Sequence, residues 1–147
     1  MYKRQIAHNA KFDQGFLDLG TQPWICTWKL SNKIFKDAPS FGNQVLRYYL
    51  GLELPVQYAS FHRALADVEV TTQLFLRILK EAKTDDPYEK MLEISNSPVL
   101  LRKVNFGEHF GKKWSEVPSS YLKWIVNKPD SWEEDKLYTA KYWLERS

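Results

Sequence analysis

Two short segments carry the side chains best suited to chemistry. Ala7-His8-Asn9-Ala10-Lys11-Phe12-Asp13 follows a short apolar stretch at Ile6-Ala7, and His62-Arg63-Ala64-Leu65-Ala66-Asp67 opens the longest periodic segment of the chain. Carboxylates are hard oxygen ligands for divalent cations, and an imidazole with a pKa of about 6.5 exchanges protons near neutral pH. Each segment also has an ordinary structural explanation. An aspartate in the first turn of a helix compensates the macrodipole, and a histidine ahead of a helix commonly lies at the surface. The spacing within the second segment is more restrictive. Five residues along one continuous helix are about 500° apart, roughly 140° out of register. His62 and Asp67 therefore converge only if His62 sits on the loop or first turn while Asp67 projects from the helix proper. Ser60, a candidate cap just upstream, allows that arrangement.

The elements that must position these residues follow from periodicity and breakers. Ile6-Ala7 is expected to end a buried strand. Phe12, Phe16, Leu17 and Leu19 suit a short helix closed by Gly20 and Pro23. Trp24-Ile25-Cys26-Thr27 reads as a second buried strand, although so short a run does not separate strand from helix by period. Residues 28–35 look helical. Asp37-Ala38-Pro39-Ser40 is a break, and Ser40 is expected to cap a helix that carries Val45, Leu46, Tyr49 and Leu50 and ends at Gly51. Over residues 62–82, Leu65, Val68, Thr72, Phe75 and Leu79 recur at three- and four-residue spacing and predict one apolar stripe.

Lys83-Thr84-Asp85-Asp86-Pro87 is polar and ends in proline, which places a domain boundary between residues 1–83 and 88–147. Beyond it, residues 88–94 suit a short helix. Val104-Asn105-Phe106 and the stretch around Lys113-Trp114 are expected to form a small hairpin across residues 107–111. Helices over 118–126 and 133–144 follow, with a break at Pro129, Pro118 at a first helical position and Ser131 as a cap. The fold class expected is α/β, followed by a small α+β module.

Composition bounds the partners. No run of roughly 18 apolar residues is present, which argues against a helical membrane span, and residues 1–6 have no apolar leader core. A single cysteine, Cys26, forbids an intramolecular disulfide and, beside three histidines, disfavours a structural zinc site. A soluble, cytoplasmic protein is expected. The net charge of +3 is too small to demand a nucleic-acid partner. Its distribution says more: residues 1–83 hold 11 basic and 7 acidic side chains, and residues 84–147 hold 10 and 11. Within residues 102–128, six basic residues stand against Glu108 and Glu116, a local basic surface.

Taken together, the two chemistry-bearing segments resemble the DEDDh superfamily of 3′→5′ exonucleases. Residues 7–13 with Phe16-Leu17 are similar to its second motif, and residues 62–67 with Thr71-Thr72 to its third; Cys26-Thr27, Leu30-Ser31 and Ala38-Pro39-Ser40 fit the linking segment. Val104-Asn105-Phe106-Gly107-Glu108-His109-Phe110-Gly111-Lys112 and Tyr121-Leu122-Lys123-Trp124 resemble the C-terminal region of exodeoxyribonuclease X-type enzymes. The resemblance implies a partial ribonuclease H-like exonuclease fold over 1–83. It implies that Asp13 and Asp67 help hold two divalent ions, Mg²⁺ or Mn²⁺, with His62 as general base. Two such ions about 3.5–4 Å apart clamp the attacking and leaving oxygens of a phosphodiester. The implied partner is DNA, single-stranded or at 3′ ends, and the implied product is nucleoside 5′-monophosphates. His8 and Asn9 would orient the loop around Asp13 or line the site, and Lys112 and Lys113 would contact nucleic acid.

The family's first motif, an Asp-x-Glu on the opening strand, has no counterpart, since residues 1–5 contain no acid. The expectation is an N-terminally truncated fragment with negligible activity, whose first five residues are not native sequence and whose first strand is left with an open edge. Two other readings compete. One is a non-catalytic nucleic-acid-binding protein, in which Arg102, Lys103, Lys112, Lys113, Lys123 and Lys128 are interleaved with Phe106, Trp114, Tyr121 and Trp124; against it, most of these aromatics are expected to complete a small core. The other is a degenerate interaction scaffold, which the joint presence of Asp13, His62 and Asp67 disfavours. His109 and Cys26 are assigned to structure or surface.

Overall fold

The computed structural model describes residues 4–17, 20–55, 64–83 and 85–147. The chain forms two compact units, residues 1–97 and 98–147.

In the first unit, strand β1 (Gln5–Ala7) pairs in parallel with β2 (Trp24–Cys26), in the register Gln5 with Trp24, Ile6 with Ile25 and Ala7 with Cys26. Parallel pairing needs a crossover, and the intervening segment supplies it with helix α1 (Ala10–Gln14). Every residue of β2 is buried. One reason is α5 (Pro87–Ser95), which packs against it. The Ser95 hydroxyl accepts from the Cys26 N–H at 2.9 Å and donates to the Met91 carbonyl at 2.7 Å, so a side chain satisfies a backbone donor of β2. These two strands are the sheet among the described residues, a mixed, helix-rich arrangement compatible with the α/β expectation.

Helices α2 (Thr27–Ile34), α3 (Asn43–Leu50) and α4 (Ala64–Glu81) complete the unit, with α4 packed on both α2 and α3. Ile25, Leu30, Leu46, Leu74, Ile78 and Met91 form its core. Helix α3 starts later than expected: Gly42, not Ser40, is its N-cap, and the helix ends at Gly51 with φ 61, as a left-handed C-cap requires. The apolar stripe of α4 is also displaced. Ala66, Val70, Leu74 and Ile78 are the buried positions. Of the expected stripe, Leu65 and Val68 are 66% and 61% exposed, Thr72 is exposed, and Phe75 and Leu79 border the core. Helix α4 has two apolar faces, and packing against α2 and α3 selects between them.

The break expected at residues 83–87 lies one helix before the division between the compact units. Met91 of α5 is buried in the first unit's core, and Asp86 caps α5 by accepting from Glu89 N–H at 3.1 Å, a cap worth about 1 kcal/mol.

The second unit is built on α6 (Ser119–Val126) and α7 (Glu134–Leu144), which pack together. Val104, Trp114, Leu122, Ile125 and Ala140 form its core. The expected hairpin narrows to a single antiparallel bridge between Lys103 and Lys113. Val104 N–H donates to the Lys112 carbonyl at 2.9 Å, and Gly111 N–H to the Val104 carbonyl at 2.7 Å. Gly107 turns the chain at φ 61, and a Cβ there would collide with the Tyr121 hydroxyl. The expected cap at Ser131 is not used: Ser131 lies in a 3₁₀ turn, and Glu133 is the N-cap of α7. Among the described residues, no helix is long and apolar enough to cross a membrane.

Candidate active site

The chain leaves β1 through His8 and Asn9, and their conformations set the position of Asp13. Asn9 is the one non-glycine residue with positive φ among those described, at φ 66 and ψ 54. Asparagine tolerates this left-handed geometry better than most residues, and the turn it makes starts α1 immediately after the strand. Ala10 N–H then donates to Cys26 Sγ at 3.4 Å, tying the helix start to β2. Asp13 follows one turn later, half-buried. It stands beyond the C-terminal end of β1, the end where open α/β sheets bind ligands.

His8 is committed to the interior. Its Nε2 lies 2.7 Å from the Phe41 carbonyl and its Nδ1 3.0 Å from Thr27 Oγ1. A carbonyl only accepts, so Nε2 carries the proton in the neutral ring, and the one Thr27 hydroxyl proton is shared between His8 Nδ1 and the Ala7 carbonyl, 3.3 Å away. Burial pushes the His8 pKa below its ordinary value; the Phe41 hydrogen bond and the Asp13 charge oppose that shift only in part. The unfolded chain therefore takes up this proton first as pH falls. His8 contributes its full stabilisation above pH about 6.5 and loses it as pH drops from there through the folded pKa. We expect denaturant midpoints to fall more between pH 7.5 and pH 5.5 in the wild-type chain than in a His8→Gln variant. Equal falls would show that the folded state does not disfavour the charged ring.

Asp67 stands in the first turn of α4 and is exposed. The expected pairing with His62 falls outside the described residues, as does Ser60. What surrounds Asp67 is polar. Gln44 Nε2 donates to Asp67 Oδ1 at 3.3 Å. Thr71 Oγ1 donates to the Asp67 carbonyl at 2.9 Å and accepts from Asn43 Nδ2 at 3.1 Å. That leaves Asn43 Oδ1 buried without a partner among the described residues.

Asp13 and Asp67 line one pocket of about 280 Å³, together with His8, Asn43, Thr71 and Thr72. Val68 and Phe75, from the stripe expected to be core, form part of its apolar wall. A larger hollow of about 470 Å³ beside residues 14–17 and Trp24 is lined by no titratable side chain among those described. Asn43 and Gln44 had no distinguishing pattern in the sequence; only the packing of α3 against α4 brings them to Asp67. Lys112 and Lys113 lie in the second unit, both exposed, with Lys113 in the bridge to Lys103.

The polar residues lining the pocket include two carboxylates, Asp13 and Asp67, beside Asn43, Thr71 and Thr72. Hard divalent cations such as Mg²⁺ take such ligands, commonly one or two carboxylates completed by water and substrate phosphate. The set therefore fits one such ion. It is short for two, since among the described residues no three of His, Cys, Asp and Glu cluster closely enough to hold a metal.

No family model matches the chain, and no solved structure matches it. It is 32% identical over 148 residues to exodeoxyribonuclease 10 of Escherichia coli strain K12, an overlap of 97% of this chain and 65% of that protein. The figures are the same for exodeoxyribonuclease 10 of Escherichia coli O6:H1 strain CFT073. The DNA polymerase III PolC-type of Staphylococcus saprophyticus is 35% identical over 85 residues, 52% of this chain and 6% of that protein. The chain thus spans 65% of the length of the first of these relatives. This likeness over almost its whole length, together with Asp13 and Asp67 lining one pocket, makes the chain similar to exodeoxyribonuclease 10 and supports grouping it with the DEDDh-type 3′→5′ exonucleases.

Proposed function

We propose that the protein is a metal-dependent 3′→5′ exonuclease that removes nucleoside 5′-monophosphates from 3′ ends of DNA, preferably single-stranded. The observation that carries this reading is the convergence of Asp13 and Asp67, distant in sequence, on one pocket. The first unit is then a partial ribonuclease H-like domain, and the second an exodeoxyribonuclease X-like module. In this reading Asp13 and Asp67 hold Mg²⁺ or Mn²⁺, which when bound stabilises charge on the phosphate oxygens. Gln44 keeps the Asp67 carboxylate oriented, His8 and Asn9 fix the loop that aims Asp13, and the His62 imidazole takes a proton from the attacking water.

The same chemistry implies that residues 1–147 do not turn over substrate unaided. A two-ion clamp needs more carboxylates than Asp13 and Asp67 offer. An Asp-x-Glu segment placed ahead of β1, as the resemblance implies, is the natural complement.

The test uses 5′-labelled and 3′-labelled single-stranded DNA with Mg²⁺. With an Asp-x-Glu segment added, the 3′ label is expected to leave at once as a mononucleotide, while the 5′ label persists in a ladder of shortening strands. The chain of 147 residues alone is expected to release neither. Early release of the 5′ label, or internal cuts, would overturn the polarity. Mg²⁺-dependent hydrolysis by the 147-residue chain that vanishes in Asp67→Ala would overturn the carboxylate shortage.

A further inference from the structure

The second unit carries a strip of aromatic rings with a cation at each end. Trp124 stands on α6 with 42% of its surface exposed. Its ring centroid lies 5.2 Å from that of Tyr121, and Tyr121 meets the His109 ring edge-on at 4.5 Å. At one end, Lys128 Nζ sits 5.3 Å from the Trp124 centroid. At the other, Lys112 Nζ lies 3.4 Å from His109 Nδ1. The order cation, indole, phenol, imidazole, cation is thus continuous by direct contact. Both lysines are exposed, and neither takes part in the unit's described ion pairs.

Packing alone does not explain the exposure of Trp124. The core beneath it is closed by Val104, Trp114, Leu122, Ile125 and Ala140, with Phe106, Tyr121 and Trp132 against them; Tyr121 is half-buried and stacks on Phe106 at 6.5 Å and 25°, so Trp124 is the strip's exposed ring. Trp124 touches that core edge-on through Trp132, at 5.4 Å and 74°, which leaves part of its surface open to solvent. One acid borders the strip: Glu108 Oε1 lies 3.4 Å from His109 Nε2. Burial first, and the Glu108 charge second, raise the Tyr121 pKa above its ordinary value.

We infer that this strip binds single-stranded nucleic acid, with a base stacked on the exposed Trp124 and phosphates paired to Lys128 and Lys112. Lysines flanking stacked aromatics suit an unpaired strand, whose bases expose their faces and whose phosphates follow at regular intervals. A duplex hides those faces. The choice of ligand rests on the exonuclease reading above, but none of the pocket residues is used.

The experiment is fluorescence anisotropy of labelled oligo(dT) with the full chain in EDTA, over a salt series. The wild-type chain is expected to bind at low salt. Trp124→Ala, an exposed position, is expected to weaken binding about tenfold or more, since one base stack is worth roughly 1–3 kcal/mol. Lys112→Gln with Lys128→Gln is expected to flatten the plot of log K against log salt by about 1.4, the loss of two phosphate contacts on a single strand. Glu108→Gln is expected to tighten binding. Oligo(rU) is expected to bind within a few-fold of oligo(dT), because stacking and phosphate pairing do not read the sugar.

Asp13→Asn with Asp67→Asn is expected to bind as the wild type does in EDTA, which separates this strip from the pocket. Absence of salt-sensitive binding would overturn the inference, as would binding lost in the Asp13/Asp67 pair yet retained in Trp124→Ala. Binding that depends on Trp124 would stand even if the protein proved to hydrolyse nothing.

Discussion

Asp67→Ala is expected to lower metal-dependent hydrolysis about a thousandfold, in a protein supplied with the Asp-x-Glu complement, while leaving the fold intact. Several kilocalories per mole of charge stabilisation depend on where the ion sits, and each 1.36 kcal/mol is about tenfold in rate. The structure separates this effect from stability. Asp67 is exposed, and its carboxylate has one described hydrogen bond, from Gln44 at 3.3 Å. Thr71 bonds the backbone carbonyl of Asp67, not its side chain, so the first turn of α4 survives the substitution. The stability loss is held to the helix-dipole contribution, about 1 kcal/mol or less. The check pairs single-turnover hydrolysis with denaturant unfolding. A rate within tenfold of wild type would remove Asp67 from the metal site. A rate loss matched by a large stability loss would show a structural residue instead.

Trp114→Ala is expected to destabilise the second unit by about 3–5 kcal/mol, the range for emptying a large aromatic from a core. Trp114 is 1% exposed, the largest of the fully buried side chains. Its Nε1 donates to the Lys103 carbonyl at 3.1 Å, and its ring lies 5.9 Å from Phe106. Removing the indole therefore opens a cavity and strips a partner from the bridge that closes the turn over residues 104–112. A core this small has little reserve. Amide exchange in α6 and α7 is expected to accelerate by two orders of magnitude or more, about 1.4 kcal/mol for each tenfold. A change below about tenfold would show that the turn and the two helices hold without it.

The sequence carries local signals well and alternative packings poorly. Gly51 marks the end of α3, which closes at positive φ, while Pro87, expected to end a break, is instead the first residue of α5, where proline suits the first helical turn. Two apolar runs split by a helix mark β1 and β2, whereas their parallel pairing is a long-range contact that no local signal carries. The buried face of α4 is not legible, because Leu65-Val68-Phe75 and Ala66-Val70-Leu74-Ile78 both satisfy helical spacing. Contact with α2 and α3 decides it, and those contacts are long-range. The site divides the same way. Asp13 and Asp67 stand out through their motifs, whereas Asn43 and Gln44 become site residues only where α3 meets α4. His8 illustrates a third case: its presence is plain in the sequence, but the capture of both ring nitrogens by Phe41 and Thr27 depends on three segments meeting.

Mn²⁺ binding to the 147-residue chain, followed by electron paramagnetic resonance of the free ion, tests the pairing of Asp13 and Asp67 most directly, because it needs neither substrate nor added sequence. One Mn²⁺ per chain is expected, bound weakly, competed by Mg²⁺, and lost in both Asp13→Asn and Asp67→Asn. Asn43→Ala is expected to weaken it, while Lys112→Gln leaves it unchanged. Mn²⁺ binding indifferent to Asp13 and Asp67, or none at millimolar ion, would contradict a metal site built on these two carboxylates.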